Sequence, residues 1–182
     1  MAALGLALYW AALLAHFEGN AVEVERLASE LIELTTRQGF ASWLPGGVVL
    51  RGWVRSASGD TAEGISWIEG GIRDYQATGT IQRLPYFFAL EAEALHFAGR
   101  TSEALEAIRE AEALAERSEG RWWCAEMRRL RGVFLEAIGA DEIQIESSFC
   151  EAIKIAEQQK SILLAKRAEE SYAGHRRQKG KL

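Results

Sequence analysis

Leu84–Gly120 reads LPYFFALEAEALHFAGRTSEALEAIREAEALAERSEG. Its first half carries apolar Phe87, Phe88, Leu90, Leu95 and Phe97 and halts at Gly99-Arg100; its second half carries Leu105, Ile108 and Leu114 and halts at Gly120. That spacing predicts two amphipathic helices joined by a short turn. A glycine after the last apolar turn suits the left-handed backbone that ends a helix, and Ser102 with Glu103 predicts a cap for the second helix. The stretch reads as a helical hairpin.

Moving outward from Gly99 in steps of 40 residues meets Gly19, Gly59 and Gly139, so the same helix stop recurs along the chain. Stops for the second helices fall at Gly39, Gly79 and Gly120, and the only two prolines, Pro45 and Pro85, are also 40 apart. Seven residues before each first-helix glycine stands a small residue: Ala12, Gly52, Ala92 and Gly132. Two helices approach closely only where neither carries a bulky side chain, so these positions predict the crossing point of each hairpin.

This pattern of small residue, seven-residue step and glycine resembles the tetratricopeptide repeat, a helix-turn-helix unit of about 34 residues that stacks into a right-handed superhelix. The period here is longer. Gly64 and Ala104 suit the small position early in the second helix, whereas Val24 and Gln144 depart from it. The expectation is an all-α solenoid in one repeat domain, 1–182, with hairpins at about 1–39, 40–79, 80–120 and 121–160 and a terminal helix at 161–178. The apolar pattern of the fourth unit, Ile145, Phe149, Ile153 and Ala156, slips by one residue against its predecessors.

The 182-residue chain has 48% hydrophobic and 26% charged residues, which suits a soluble chain with a substantial core. Its net charge of −5 argues against general binding to nucleic acid or anionic membranes, because phosphate backbones are bound mainly by neutralising cations. Cys124 and Cys150 stand in no ligand-type spacing, which fits a reducing cytoplasm. Met1–Phe17 is nearly all apolar, but it lacks a basic start and is shorter than the ~20 residues a spanning helix needs. Ala12 and Gly19 put it in register as a first helix. Its apolar character on several sides implies a cover, either a preceding repeat or another subunit. The basic C-terminal end, including Lys166, Arg167, Arg176 and Arg177, reads as a solvated helix cap, with His175 exposed.

RGW at 51–53, EGISWIEGGIRDYQATGT at 63–80, PYFFALEAEALHFAGRTSEAL at 85–105, EGRWWCAEMRRLRGVFL at 119–135 and SFCEAIKIAEQQKS at 148–161 carry a second likeness. From about Glu30 onward they resemble the tetratricopeptide-like region at the C-terminal end of bacterial class III adenylate or guanylate cyclases and related signalling ATPases and transcriptional regulators. That resemblance implies a sensor or coupling segment, with catalysis in other domains of a longer protein.

No catalytic apparatus is visible. The only Gly-Lys, Gly180-Lys181, is followed by Leu182, so there is no P-loop to wrap phosphates. His-Glu-x-x-His, calcium-loop and Gly-x-Ser-x-Gly motifs are missing, and Asp60, Asp74 and Asp141 are the only aspartates. No cofactor or metal is expected. His16 and His96 share a register but are separated by two hairpin widths, about 20 Å with helices packed at 8–10 Å, too far for one metal.

In a tetratricopeptide superhelix the first helices line the concave groove. Residues ten, six and three before each first-helix glycine then point into it: Tyr9, Leu13 and His16; Val49, Trp53 and Ser56; Ala89, Glu93 and His96; Arg129, Val133 and Glu136. The groove is aromatic and apolar at one end and charged at the other, which suits an extended peptide or helix with an apolar anchor. Trp53 either faces this groove or packs against its neighbours; Trp67, Trp122 and Trp123 read as packing between repeats. The sequence thus predicts a non-catalytic module that binds protein, peptide or another domain of its parent. The alternatives are an oligomerisation or spacer module that uses its uncapped ends and a small-ligand sensor built on the groove histidines.

Overall fold

The computed structural model describes residues 2–39, 42–118 and 121–180. Among these the regular elements are all helical: α1 (Ala2–Phe17), α2 (Ala21–Gln38), α3 (Leu44–Ala57), α4 (Thr61–Ala77), α5 (Leu84–Phe97), α6 (Thr101–Arg117), α7 (Cys124–Ala137), α8 (Glu142–Gln158) and α9 (Ile162–Lys179). Arg121–Trp123 forms a 3-10 turn where the apolar pattern predicts the start of a continuous helix. The expected stop at Gly120 lies outside the described residues.

The turn glycines do what the ladder predicts. Gly19, Gly59, Gly99 and Gly139 have φ of 72, 100, 75 and 68°, and Gly39 and Gly79 have φ of 67 and 75°, all in the left-handed region where a Cβ is costly. Pro45 and Pro85 lie in the first turns of α3 and α5, where a missing N–H costs nothing. Asn20, Asp141 and Ser161 cap α2, α8 and α9 by accepting backbone N–H groups. The cap expected from Ser102 and Glu103 is not made. The α6 helix already begins at Thr101, and Glu103 instead pairs with Arg100.

Each hairpin crosses at its small residue. Ala12, Gly52, Ala92 and Gly132 are buried. A Cβ on Gly52 would stand 2.7 Å from the Gly64 carbonyl oxygen, and one on Gly132 would stand 2.7 Å from the Phe149 ring. In α4, Gly64 and Gly71 are likewise pressed against α3, so close packing offsets their low helix propensity; Gly70 faces open space apart from the end of Arg73.

Helices α1, α3, α5, α7 and α9 form an inner row, each packed on the next, with α2, α4, α6 and α8 outside. The core runs along the seam between the rows and holds Tyr75, Phe87, Leu90, Ile108, Phe134 and Phe149, each side chain worth about 1.5–3 kcal/mol on burial. The inner row turns tightly enough to bring α9 back to α1. There Arg167 Nη1 donates to the carbonyl of Phe17 at 2.9 Å, across 150 positions of sequence. No helix among the described residues is long and apolar enough to cross a membrane.

Candidate functional site

The tight turn decides the fate of the expected groove. Of its twelve residues, Tyr9, Leu13, His16, Val49, Trp53, Ser56, Ala89, Glu93 and Arg129 are buried, while His96, Val133 and Glu136 are partly exposed. They do not share one side: Val49 and Ser56 turn to the outer helix α4, where they crowd Gly71 and Gly64, whereas His16, Trp53, Glu93 and Arg129 meet among the inner helices in an interior filled by its own side chains. Trp53 faces inward and packs at once, its ring 4.4 Å from that of His16.

The Tyr9 hydroxyl is buried there without a hydrogen-bond partner among the described residues, whereas the polar groups around His16, Glu93 and Glu126 satisfy one another. A carboxylate only accepts, so His16 Nε2 carries the proton it donates to Glu93 Oε2 at 2.8 Å, and the Trp53 indole N–H donates to the same oxygen at 3.0 Å. Tyr86 Oη lies 3.0 Å from His16 Nδ1. Arg129 meets Glu126 through two parallel bonds, Nη2 to Oε1 at 2.6 Å and Nε to Oε2 at 2.9 Å, the strongest geometry available to this pair. Arg167 donates to Glu126 at 3.0 Å and lies 3.8 Å from Glu93.

Burial alone would push these carboxyls up. For Glu126 the adjacent Arg129, and then Arg167, outweigh it and bring the group down to about 2. Glu93 is likewise buried yet held below the usual carboxylate range by His16 and Arg129. The network joins α1, α3, α5, α7 and α9.

Three members of it, Tyr86, Glu126 and Arg167, escape the sequence reading. Tyr86 and Glu126 stand thirteen residues before Gly99 and Gly139, one inward turn beyond the three positions considered. Arg167 stands thirteen residues before Gly180, the C-cap of α9, but that glycine falls 41 residues after Gly139 and so one residue off the ladder's step.

The remaining assignments divide similarly. His96 bonds Thr101 and packs against Phe134, with ring centroids 5.0 Å apart, and does not meet His16. His175 is not exposed as expected but 3% accessible, held by Glu136 at 2.7 Å and Glu142 at 3.0 Å. Burial opposes its charge, yet the two carboxylates raise it above the ordinary histidine range. Among the described residues no three His, Cys, Asp or Glu side chains gather as a metal site would require. Trp67 lies under the guanidinium groups of Arg51 and Arg55, and Trp122 is 74% exposed rather than packed between repeats.

Where α9 returns toward α1 an open cleft of about 650 Å³ remains, walled by Leu13, Leu14 and Phe17 of α1, Trp122 and Trp123 of the 3-10 turn, and Leu163 and Leu164 of α9. Trp123 forms its floor, stacked on Tyr86 with centroids 4.5 Å apart and on Trp10 at 6.0 Å. Arg121, Gln159 and Ser161 lie at its edge. An apolar concavity of this size with a few polar groups at one side suits a small number of bulky apolar side chains.

An all-helical stack of antiparallel hairpins with this register is a tetratricopeptide-like solenoid, and the solved structures agree on the fold. Bacillus thuringiensis PlcR, in complex with the peptide PapR7 and DNA, superposes with a TM-score of 0.63 at 16% identity, over 90% of this chain and 57% of PlcR. An uncharacterized protein of Rhizobium meliloti (strain 1021) is 22% identical over 157 residues. That similarity covers 86% of this chain but only 15% of the relative's length. No protein-family model matches the chain. The expectation that nucleic acid is not a partner rests on net charge alone.

Proposed function

We propose that the chain is a non-catalytic module that binds a protein or peptide, or another domain of its own parent, and acts as a coupling segment of a bacterial signalling protein such as an adenylate cyclase or ATPase-type regulator. The observation that carries this reading is the cleft between α1, the 3-10 turn and α9. The rest of the inner side is occupied by buried, mutually bonded side chains, whereas the cleft keeps Trp122 and Leu14 exposed around an apolar floor. Exposed aromatic and aliphatic groups around a concavity are the usual anchors of a peptide interface. The likeness to a protein solved in complex with a peptide and DNA fits the peptide part of this reading, and a relative far longer than the matched stretch fits a parent with further domains.

Selection of binders from a random peptide display library tests it. Selected peptides should be rich in bulky apolar residues and should lose at least tenfold in affinity for Leu163→Asp, a partly buried position of the cleft wall, with helicity retained by circular dichroism. Binders indifferent to that substitution would place recognition elsewhere.

A further inference from the structure

Helix α9 is fastened in two different ways along its length. Its first half is held by burial: Leu164 and Ala168 lie in the core, and Arg167 between them reaches Phe17 and Glu126. Beyond Ala168 the only buried side chain of α9 among the described residues is His175. About one period earlier, on α7, Phe134 and Leu135 are buried and apolar. A titratable ring thus stands where the array otherwise packs hydrocarbon. Gly174 beside it has open space around it and no close contact to offset its low helix propensity.

That ring is bound through both nitrogens. Nδ1 lies 2.7 Å from Glu136 Oε1 of α7 and Nε2 lies 3.0 Å from Glu142 Oε1 of α8, while Phe149 packs against the ring with centroids 5.9 Å apart. A carboxylate only accepts, so two such bonds require a proton on each nitrogen, which is the imidazolium. Carboxyls are ordinarily about two pH units more acidic than histidine, so the protons belong to the ring. A neutral imidazole keeps one N–H and turns the lone pair of its other nitrogen on a carboxylate. The titratable groups around it are otherwise engaged: Lys179 pairs with Glu142, Asp141 caps α8 through the Ile143 N–H, Tyr172 donates to Glu146, and Arg176 lies over the Tyr172 ring. His175 is the member of this group whose charge changes near neutral pH.

We propose that His175 is a proton-operated latch: charged, it fastens the second half of α9 to the turn between α7 and α8, and neutral, it lets that half come away while the first half stays clasped to α1. Both carboxylates belong to that turn, Glu136 near the end of α7 and Glu142 at the start of α8. Together they hold the docked imidazolium above the ordinary histidine range. The latch is therefore fully set below about pH 6.5, where the released ring titrates, and is lost as pH rises through the docked value. One proton is involved, so the opening equilibrium climbs by up to about tenfold per pH unit between the two. The device is independent of what occupies the cleft, whose α9 wall, Leu163 and Leu164, lies in the clasped half.

Two measurements on the whole chain test this. In side-chain nitrogen NMR spectra, with the His175 signals identified by their loss in His175→Gln, both ring nitrogens should carry protons at about pH 7. Their titration midpoint should lie above about 6.5 and fall in Glu136→Gln. Amide exchange, corrected for its intrinsic pH dependence, should show all of α9 protected like the central helices at about pH 6. Between about pH 6.5 and about pH 9 protection in 172–178 should drop at least threefold while Leu164–Ala168 of the same helix stays unchanged. His175→Gln, which carries no charge at any pH, should show the low protection throughout and no pH response. A single protonated nitrogen at about pH 7, a midpoint at or below about 6.5, exchange in 172–178 that ignores pH, or an undiminished response in His175→Gln would overturn the proposal.

Discussion

His16 Nε2 lies 2.8 Å from Glu93 Oε2, joining α1 to α5 across 77 positions of sequence with both side chains buried. Removing the carboxylate strands more than the histidine, because Trp53 donates to it and Arg129 and Arg167 lie against it. Glu93→Ala should therefore destabilise by about 3–5 kcal/mol, the usual cost of leaving buried partners uncompensated, read from urea unfolding by circular dichroism.

Acid should act through the same interior. Glu126 is depressed to about 2 and Glu93 is lowered too, so their contribution is fully present above the unfolded carboxylate range and is lost as pH falls through the folded values. The urea midpoint should drop steeply from about pH 4.5 toward pH 2. Glu126→Gln should be less stable at neutral pH and show a shallower fall, and a fall of unchanged slope would count against this assignment.

Glu91 has the opposite sign. Burial, then repulsion from Glu69 and Glu110, raises it to about 7, so the stability it contributes is present below the unfolded range and is lost as pH rises through that value. Glu91→Gln should raise the melting temperature more at about pH 8 than at about pH 5.

The two kinds of helical glycine should separate cleanly. Gly70 has room for a methyl group, so Gly70→Ala should stabilise by about 1 kcal/mol through helix propensity alone. Gly52→Ala places its Cβ against the backbone of Gly64 and should destabilise by about 1–3 kcal/mol. Chemical denaturation of both variants checks the sign as well as the size.

Lys160 occupies a left-handed turn, φ 55°, one period after the expected stop at Gly120. A non-glycine residue pays about 1 kcal/mol or more for that backbone, so Lys160→Gly should stabilise by about 0.5–1 kcal/mol after the extra freedom of the unfolded chain is deducted.

The hairpins were legible because glycines and small residues repeat with the period of the structure: Gly99 needs its positive φ and Gly132 its absent side chain for local reasons. The groove was not, because its fate depends on the rotation between successive hairpins, which no residue type marks. A slightly looser turn would expose Trp53 and Glu93; this one buries both. His175 was missed for a related reason. The two carboxylates that hold it, Glu136 and Glu142, lie 39 and 33 positions away, on α7 and α8. The cleft itself exists only where two distant ends of the chain meet.

A stack of repeats ordinarily frays, since each unit touches only its neighbours and the outermost can let go at little expense. The bond from Arg167 to the Phe17 carbonyl changes that, because the same guanidinium also holds Glu126 of the neighbouring inner helix α7. Helices α1 and α9 thereby guard one another, and the hairpins between them close into a loop. Opening it anywhere requires the clasp to part, so amide protons in α1 and α9 should exchange at rates close to those of the central helices, where an open array would show a gradient from the middle outward.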